Sequence, residues 1–232
     1  MADSDWAVLS SGLSDSQVRR GATEAVTPPN GGGTFTYGMR SVQAVSGGVG
    51  LICDLTNFNP MSSGGRISGA FQRGSPGSSQ DYCPMIFVCL QGSAISDVGY
   101  LLGFTSDENP AHLVLMKGAP SDGILTTSDY ILRQSTGTYS AQTFYHFQLD
   151  AIVQPSGDVR LRVFENTDLT TNPVTSPVWT SIGGMSDYID DTLGATSGSV
   201  PYVSGYAGWA TYFGGVSGRV AYFDHIPVGR ET

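Results

Sequence analysis

Charge is scarce in this 232-residue chain, and positive charge scarcest of all: charged residues make up 13%, and of eleven basic side chains only Lys117 is a lysine. The arginines are scattered, with Arg19-Arg20 the one adjacent pair, and the formal net charge is −9. A protein that grips nucleic acid through its phosphates needs clustered cations, so nucleic acid is not an expected partner. Long apolar runs are missing too. No stretch approaches the roughly 18 consecutive apolar residues of a membrane-crossing helix. The opening MADSDWAVLSSG also lacks a basic region followed by an apolar run, so neither a membrane nor export is expected.

Cysteine is sparse and odd in number, at Cys53, Cys83 and Cys89. In an extended segment Cys83 and Cys89 would stand roughly 20 Å apart, too far for a disulfide. Buried free thiols in a chain folded in a reducing cytoplasm are the simplest expectation, and without a C-x-x-C pair no zinc site is expected.

The residues of catalysis are thin as well. The four glutamates, Glu24, Glu108, Glu165 and Glu231, fall in an N-terminal segment, two turns and the tail, so no strand carries alternating acids of the glycosidase kind. His112, His146 and His225 lie singly on separate strands, and there is no G-x-S-x-G elbow. Met116 precedes the one lysine, which excludes a G-x-x-x-x-G-K phosphate loop. Asp187, Asp190 and Asp191 offer hard oxygens within a glycine- and serine-rich stretch, but no ordered calcium-loop pattern surrounds them. The expectation is a non-enzyme without metal or cofactor, with these aspartates solvated on a long surface loop from Gly183 to Val200.

What the chain does have is glycine, 31 residues of it, and period-two alternation. The clearest stretch is FYHFQLDAIVQPSGDVRLRVF, residues 144–164. Tyr145, Phe147, Leu149, Ala151 and Val153 share one parity. Val159, Leu161 and Val163 repeat it after Pro155-Ser156-Gly157-Asp158, which predicts a hairpin. His146, Gln148, Asp150, Arg160 and Arg162 face the other way, a mostly polar, wet set expected to pair across the strands or meet a partner. A sheet with one greasy face needs a cover, and a second sheet supplies it.

Further strands are expected from Thr34 to Met39, Gly50 to Leu55 with a turn at Gly47-Gly48, Ile67 to Phe71 and Met85 to Leu90. Others follow from Val98 to Phe104, His112 to Met116, Tyr130 to Leu132, Gly205 to Phe213 and Arg219 to Val228. MIFVCL, apolar on both parities, predicts a central strand covered on both sides, and Trp179 is expected as a core anchor. A turn is expected at Asp107 to Pro110. Residues 1–33 differ in character. Trp6, Val8 and Leu9 form an isolated apolar cluster, Ser14 and Gln17 fit a capping box for a short helix through Arg20, and Thr27-Pro28-Pro29-Asn30-Gly31-Gly32-Gly33 breaks all regularity. Such a segment either straps its own domain or docks on a neighbour through Trp6, Val8, Leu9, Arg19 and Arg20.

The hairpin YHFQLDAIVQPSGDVRLRVFEN, followed by GYAGWATYF and a closing VAYFDHIPV, resembles the concanavalin A-like, or LamG-like, jelly rolls over about residues 95–228. That resemblance implies an all-β fold, a two-sheet antiparallel β-sandwich over residues 34–232 with an N-terminal arm over 1–33. In that family a concave face or rim loops bind glycans or proteins, and the family's glycosidase acids and metal site are not recognisable here. PPNGGGTFTYGMRS, GRISGAFQRG and LLGFTSDENPAHLVLMKG look like structural proteins of tailed bacteriophages. This second likeness implies a virion component on the capsid, neck or tail, made in the host cytoplasm and held by copies of itself and other virion proteins. The alternative is a carbohydrate-binding module for a host or surface polysaccharide, with Tyr206, Trp209 and Tyr212 as candidate contacts.

Overall fold

The computed structural model describes residues 6–9, 16–19, 37–41, 46–53, 64–73, 82–105, 110–123, 130–141, 143–167, 177–191, 199–214, 220–224 and 228–229. Side chains are described over 64–72, 84–105, 110–123, 130–141, 143–167, 177–191 and 199–212. The strands are β1 (Trp6–Leu9), β2 (Ser16–Arg19), β3 (Tyr37–Ser41), β4 (Ser46–Cys53), β5 (Gly65–Arg73), β6 (Tyr82–Leu90), β7 (Gly99–Phe104) and β8 (Ala111–Gly118). They continue with β9 (Ile131–Tyr139), β10 (Tyr145–Val153), β11 (Val159–Asn166), β12 (Trp179–Ser181), β13 (Tyr188–Asp190), β14 (Tyr206–Gly214), β15 (Val220–Asp224) and β16 (Val228–Gly229). One 3₁₀ turn, Pro120–Asp122, follows β8.

Two antiparallel sheets account for all of them. The first, of seven strands, runs β1-β4-β14-β6-β7-β8-β9, and the second runs β12-β11-β10-β5-β15-β3-β2, with β13 also on β11 and β16 also on β5. This is the expected sandwich. Its inner faces meet in one core that includes Ile67, Phe71, Phe104, Phe147, Leu149, Leu161 and Trp209. Phe71 packs its ring against both Phe104 and Phe147 at 5.2 Å between centroids, close to the offset and edge-on contacts that aromatic quadrupoles favour.

The hairpin forms in the expected register, from Val153 opposite Val159 to Phe147 opposite Glu165. Its turn closes with the Gln154 amide donating to Asp158 O at 2.8 Å and the Gly157 amide to Gln154 O at 2.9 Å. Gly157 sits at φ 90°, the left-handed position that a three-residue hairpin loop requires and that glycine occupies without a Cβ penalty. β6 is central as expected, with Ile86 and Val88 in the inner core and Met85 and Phe87 in a second cluster on the other face.

Several expectations fall. Gly47 and Gly48 make no turn: they lie within β4, opposite Phe213 and Tyr212, and β3 and β4 belong to different sheets. The short helix expected over Ser14 to Arg20 is replaced by β2, whose Gln17 and Val18 pair with Arg40 and Met39. A helix of two turns is marginal by itself, so an available sheet edge wins. β1 likewise pairs with β4, Trp6 opposite Cys53, so residues 6–9 and 16–19 each add an edge strand to this chain's own sheets. The strand expected from Arg219 to Val228 is two, β15 and β16. The side chains of Trp6, Val8, Leu9 and Arg19, and Arg20 altogether, lie outside the described residues, as do the side chains of Cys53 and Cys83, residue His225 and the turn expected over 107–109.

The hairpin's polar face is wet only on its second strand, where Arg160 is exposed and Arg162 half-buried. His146, Gln148 and Asp150 are all buried. Asp150 is held by Arg66 of β5 through two bonds, Nε to Oδ1 at 2.7 Å and Nη2 to Oδ2 at 2.9 Å. His146 Nδ1 lies 3.2 Å from Asn166 Nδ2, with Trp179 packed on its ring at 4.9 Å. Trp179, expected inside the core, is instead half-buried on this outer face.

Cys89 sits in a bulge where β6 carries two residues between the partners of Gly208 and Tyr206 on β14. Its φ is 55°, uncommon for a residue with a side chain, and burial pushes its thiol up to about 12. A thiol so seldom ionised is a poor nucleophile. Iodoacetamide at pH 8 is therefore expected to leave Cys89 unmodified in the native protein and to label it fully in denaturant, read by peptide mass mapping.

Candidate functional site

At one end of the sandwich the two sheets are joined by a buried charge pair. Residues 113, 115 and 117 of β8 point alternately inward, the first two as core leucines and the third as the chain's single lysine. Lys117 Nζ lies 2.7 Å from Asp190 Oδ2, and the side chains are 2% and 0% exposed. Its other donated bonds run to the carbonyls of Ser199, at 2.8 Å, and Val200, at 2.9 Å. Tyr100, inward-facing on β7, donates its hydroxyl to the same Asp190 oxygen at 2.5 Å and accepts from the Tyr202 amide at 2.9 Å. Burial, then the bond to Asp190, raises the Tyr100 phenol beyond its ordinary range, so it stays a donor.

This arrangement corrects the reading of Asp190 as a solvated loop acid. Residues 188–190 form β13, antiparallel to β11, and Asp190 faces inward from the second sheet toward a lysine on the first. Asp187 is engaged as well, on the surface with Arg160 and, at 3.8 Å, with Arg162 Nε. A buried charge demands partners, and each of the two ions here has them. The segment reaches this position through Gly184, at φ 83°, where a Cβ would stand 2.3 Å from Gln134 O of β9.

The same network builds a cleft. Residues 199–202 are tied down by two carbonyls on Lys117 and one amide on Tyr100, and the Tyr202 ring lies 4.6 Å from Lys117 Nζ, within cation–π reach. Beside that ring opens a cavity of about 310 Å³, lined by Val98, Lys117, Gly118, Asp122, Tyr130, Ser199 and Tyr202. The volume falls at the small end of the roughly 300–1,000 Å³ typical of small-molecule pockets. Tyr130 is 57% exposed and Val98 38%, so the cavity offers apolar surface reachable from solvent. Asp122, at the end of the 3₁₀ turn, and Ser199 are exposed and supply a carboxylate and a hydroxyl. The turn is fixed from below by the Ser121 amide donating to Ile95 O at 3.0 Å.

None of these residues stood out in the sequence as a site. The aromatic trio expected to hold a glycan does not share a face. Trp209 is fully buried in the inner core, while Tyr206 and Tyr212 are half-buried on the opposite face against Met85, Phe87 and Met116. Successive strand residues alternate sides, so positions 206 and 212 agree in parity and 209 cannot join them. Trp209 therefore belongs to the fold alone.

At another rim of the core Tyr139 donates its hydroxyl to Glu165 Oε2 at 3.3 Å. Burial raises the Glu165 carboxyl above the usual carboxylate range, and the bond from Tyr139 offsets part of that. Among the described residues no group of three or more His, Cys, Asp or Glu could hold a metal ion.

No protein-family model matches the sequence and no curated protein does. Solved structures do resemble it in fold. The carbohydrate-binding module CBM66 from Bacillus subtilis aligns with a TM-score of 0.53 at 10% identity, over 97% of this chain and 95% of its own. The carbohydrate recognition domain of Emp47p aligns at 0.51 and 9% identity, over the whole of both chains at 100%. The lumenal domain of VIP36, in a form bound to Ca²⁺ and Man3GlcNAc, aligns at 0.50 and 10% identity, over 100% of this chain and 90% of its own. The shared architecture is the lectin-like jelly-roll sandwich.

Two outcomes test the electrostatics. Lys117→Met or Asp190→Asn leaves a buried polar or charged partner unmatched, so each is expected to lose about 3–5 kcal/mol in denaturant unfolding, and the double Lys117→Met, Asp190→Leu to recover much of it. Glu165, with its folded pKa raised, stabilises the fold below its unfolded pKa and loses that stability as pH rises through the folded value. Glu165→Gln should accordingly melt at or above wild type at pH 7, and the gap should vanish below about pH 4, where the unfolded glutamate is protonated.

Proposed function

We propose that the chain is a non-enzymatic carbohydrate-binding module of lectin-like architecture, and that the Tyr130–Tyr202 cleft holds the sugar. The observation that carries this reading is the cleft's chemistry. A pyranose has apolar C–H faces and a rim of hydroxyls, and it needs aromatic surface beside a few fixed polar groups. Tyr130 and Tyr202 provide the surface, and Asp122 and Ser199 provide acceptors and a donor. Rigid support comes from below, since the 199–202 backbone is bonded to Lys117 and Tyr100 and little ordering is left for the ligand to impose. The similar structures that carry carbohydrate-binding descriptions support the same class.

A hydrolytic reading lacks its second acid. Glycoside cleavage uses a pair of carboxyl groups across the bond. Among the described residues Asp122 is the one carboxylate lining the cleft, and Asp190 behind it is engaged by Lys117 and Tyr100. The virion placement implied by the sequence resemblance is compatible with sugar binding, because a surface decoration can hold a glycan. It draws no support from the similar structures, and its docking segments 6–9 and 16–19 pair within this chain's own sheets.

Titration calorimetry against a panel of oligosaccharides is expected to find one that binds, and Tyr130→Ala to weaken it by about tenfold or more, a loss of about 1.4 kcal/mol per decade. Because Tyr130 is mostly exposed, its melting temperature should stay at the wild-type value. Undiminished binding by Tyr130→Ala would move the site elsewhere on the sandwich.

A further inference from the structure

The sequence around the cleft has a one-sided charge. Among the described residues that line the cleft the one carboxylate is Asp122, and the sequence over 118–130 and 191–204 holds three aspartates and no lysine, arginine or histidine. Residues 91–99, which contribute Val98, add Asp97 and again no basic residue. Among the described residues the one cation in the lining is Lys117, and its ammonium is directed onto Asp190 and the carbonyls of Ser199 and Val200. Three donated bonds are the full complement of a lysine.

From this we infer that the cleft is selective for uncharged sugars and turns away those bearing a carboxylate or sulfate; the inference rests on the carbohydrate-binding reading and specifies its substrate class. An acidic sugar would enter beside the exposed Asp122 carboxylate, where the described lining offers no cation but the already engaged Lys117, and two anions at close range disfavour each other's ionised forms. It would also surrender water around its charge for no compensating bond. A neutral pyranose incurs neither cost, and Asp122 can accept from its hydroxyls. The buried pair is thus a specificity device as well as a staple: Asp190 engages the one cation among the described lining residues, which would otherwise attract acidic glycans.

The test compares matched tetramers on the intact protein at low ionic strength: manno-, gluco- and galacto-oligosaccharides against the corresponding uronate tetramers. At least one neutral tetramer should bind, with its uronate about tenfold weaker or more. Raising the salt to about 1 M, where the screening length falls to about 3 Å, should narrow that ratio. Asp122→Asn, an exposed isosteric change, should narrow it too. Uronates that bind as well as or better than their neutral partners would overturn the inference while leaving the binding module intact, as would a ratio indifferent to both salt and Asp122→Asn. Failure of every tetramer, neutral and acidic, would overturn the binding reading and this selectivity with it.

Discussion

The pairing of Lys117 with Asp190 is the constraint on which one end of the molecule depends. A lysine placed at the end of an inward-facing row, after Leu113 and Leu115, would strand a charge between two sheets unless something neutralised it. β13 brings Asp190 across from the second sheet, Tyr100 donates to the same carboxylate oxygen, and the 199–200 carbonyls take the lysine's other protons. A buried pair of this kind contributes little net stability compared with a well-packed apolar substitute. Its effect here is positional. It fixes which residues of the 199–202 segment face the core and which face the cleft.

The sheets themselves were plain in the sequence because period-two alternation over 145–163 leaves few other structures open. Alternation says which residues share a face, however, and does not say whether that face is covered. His146, Gln148 and Asp150 look like a solvent face by composition, yet they are buried, with Arg66, 84 residues earlier, engaging Asp150 at 2.7 Å. Such long-range pairing leaves no local signature. The glycines at 47 and 48 mislead for a related reason: a turn and a strand residue lying beside large side chains both favour glycine, and partners such as Tyr212 and Phe213 are known only once the sheet is assembled.

The site was less legible than the fold, and two of its signals were present but unread. A chain whose one lysine closes an apolar run, LVLMK, in step with two inward leucines points to a buried ammonium and hence to a buried acid somewhere else. The acid leaves no such mark: in YID, 188–190, the tyrosine and aspartate are buried and the isoleucine between them is exposed, the reverse of what hydrophobicity alone would assign. The spacing of Tyr206, Trp209 and Tyr212 should also have separated the tryptophan from the tyrosines, by parity alone. What no local pattern could supply is the meeting of Val98, Asp122, Tyr130 and Tyr202, four short pieces of chain gathered by sheet topology.

That gathering suggests why a structural charge and a binding surface share one corner. A cleft between loops needs walls that hold still without being covered, and loops at the end of a sandwich have few apolar contacts to steady them. Anchoring their backbone carbonyls on a buried ammonium achieves this from underneath, leaving the side chains of Tyr130, Asp122 and Ser199 at the surface. The anchoring group then cannot also attract a ligand, because all its protons are engaged. Rigidity and charge are therefore coupled at this site: the interaction that holds the walls in place is also the one that leaves the cleft acidic, and changing either partner of the pair would alter both properties together.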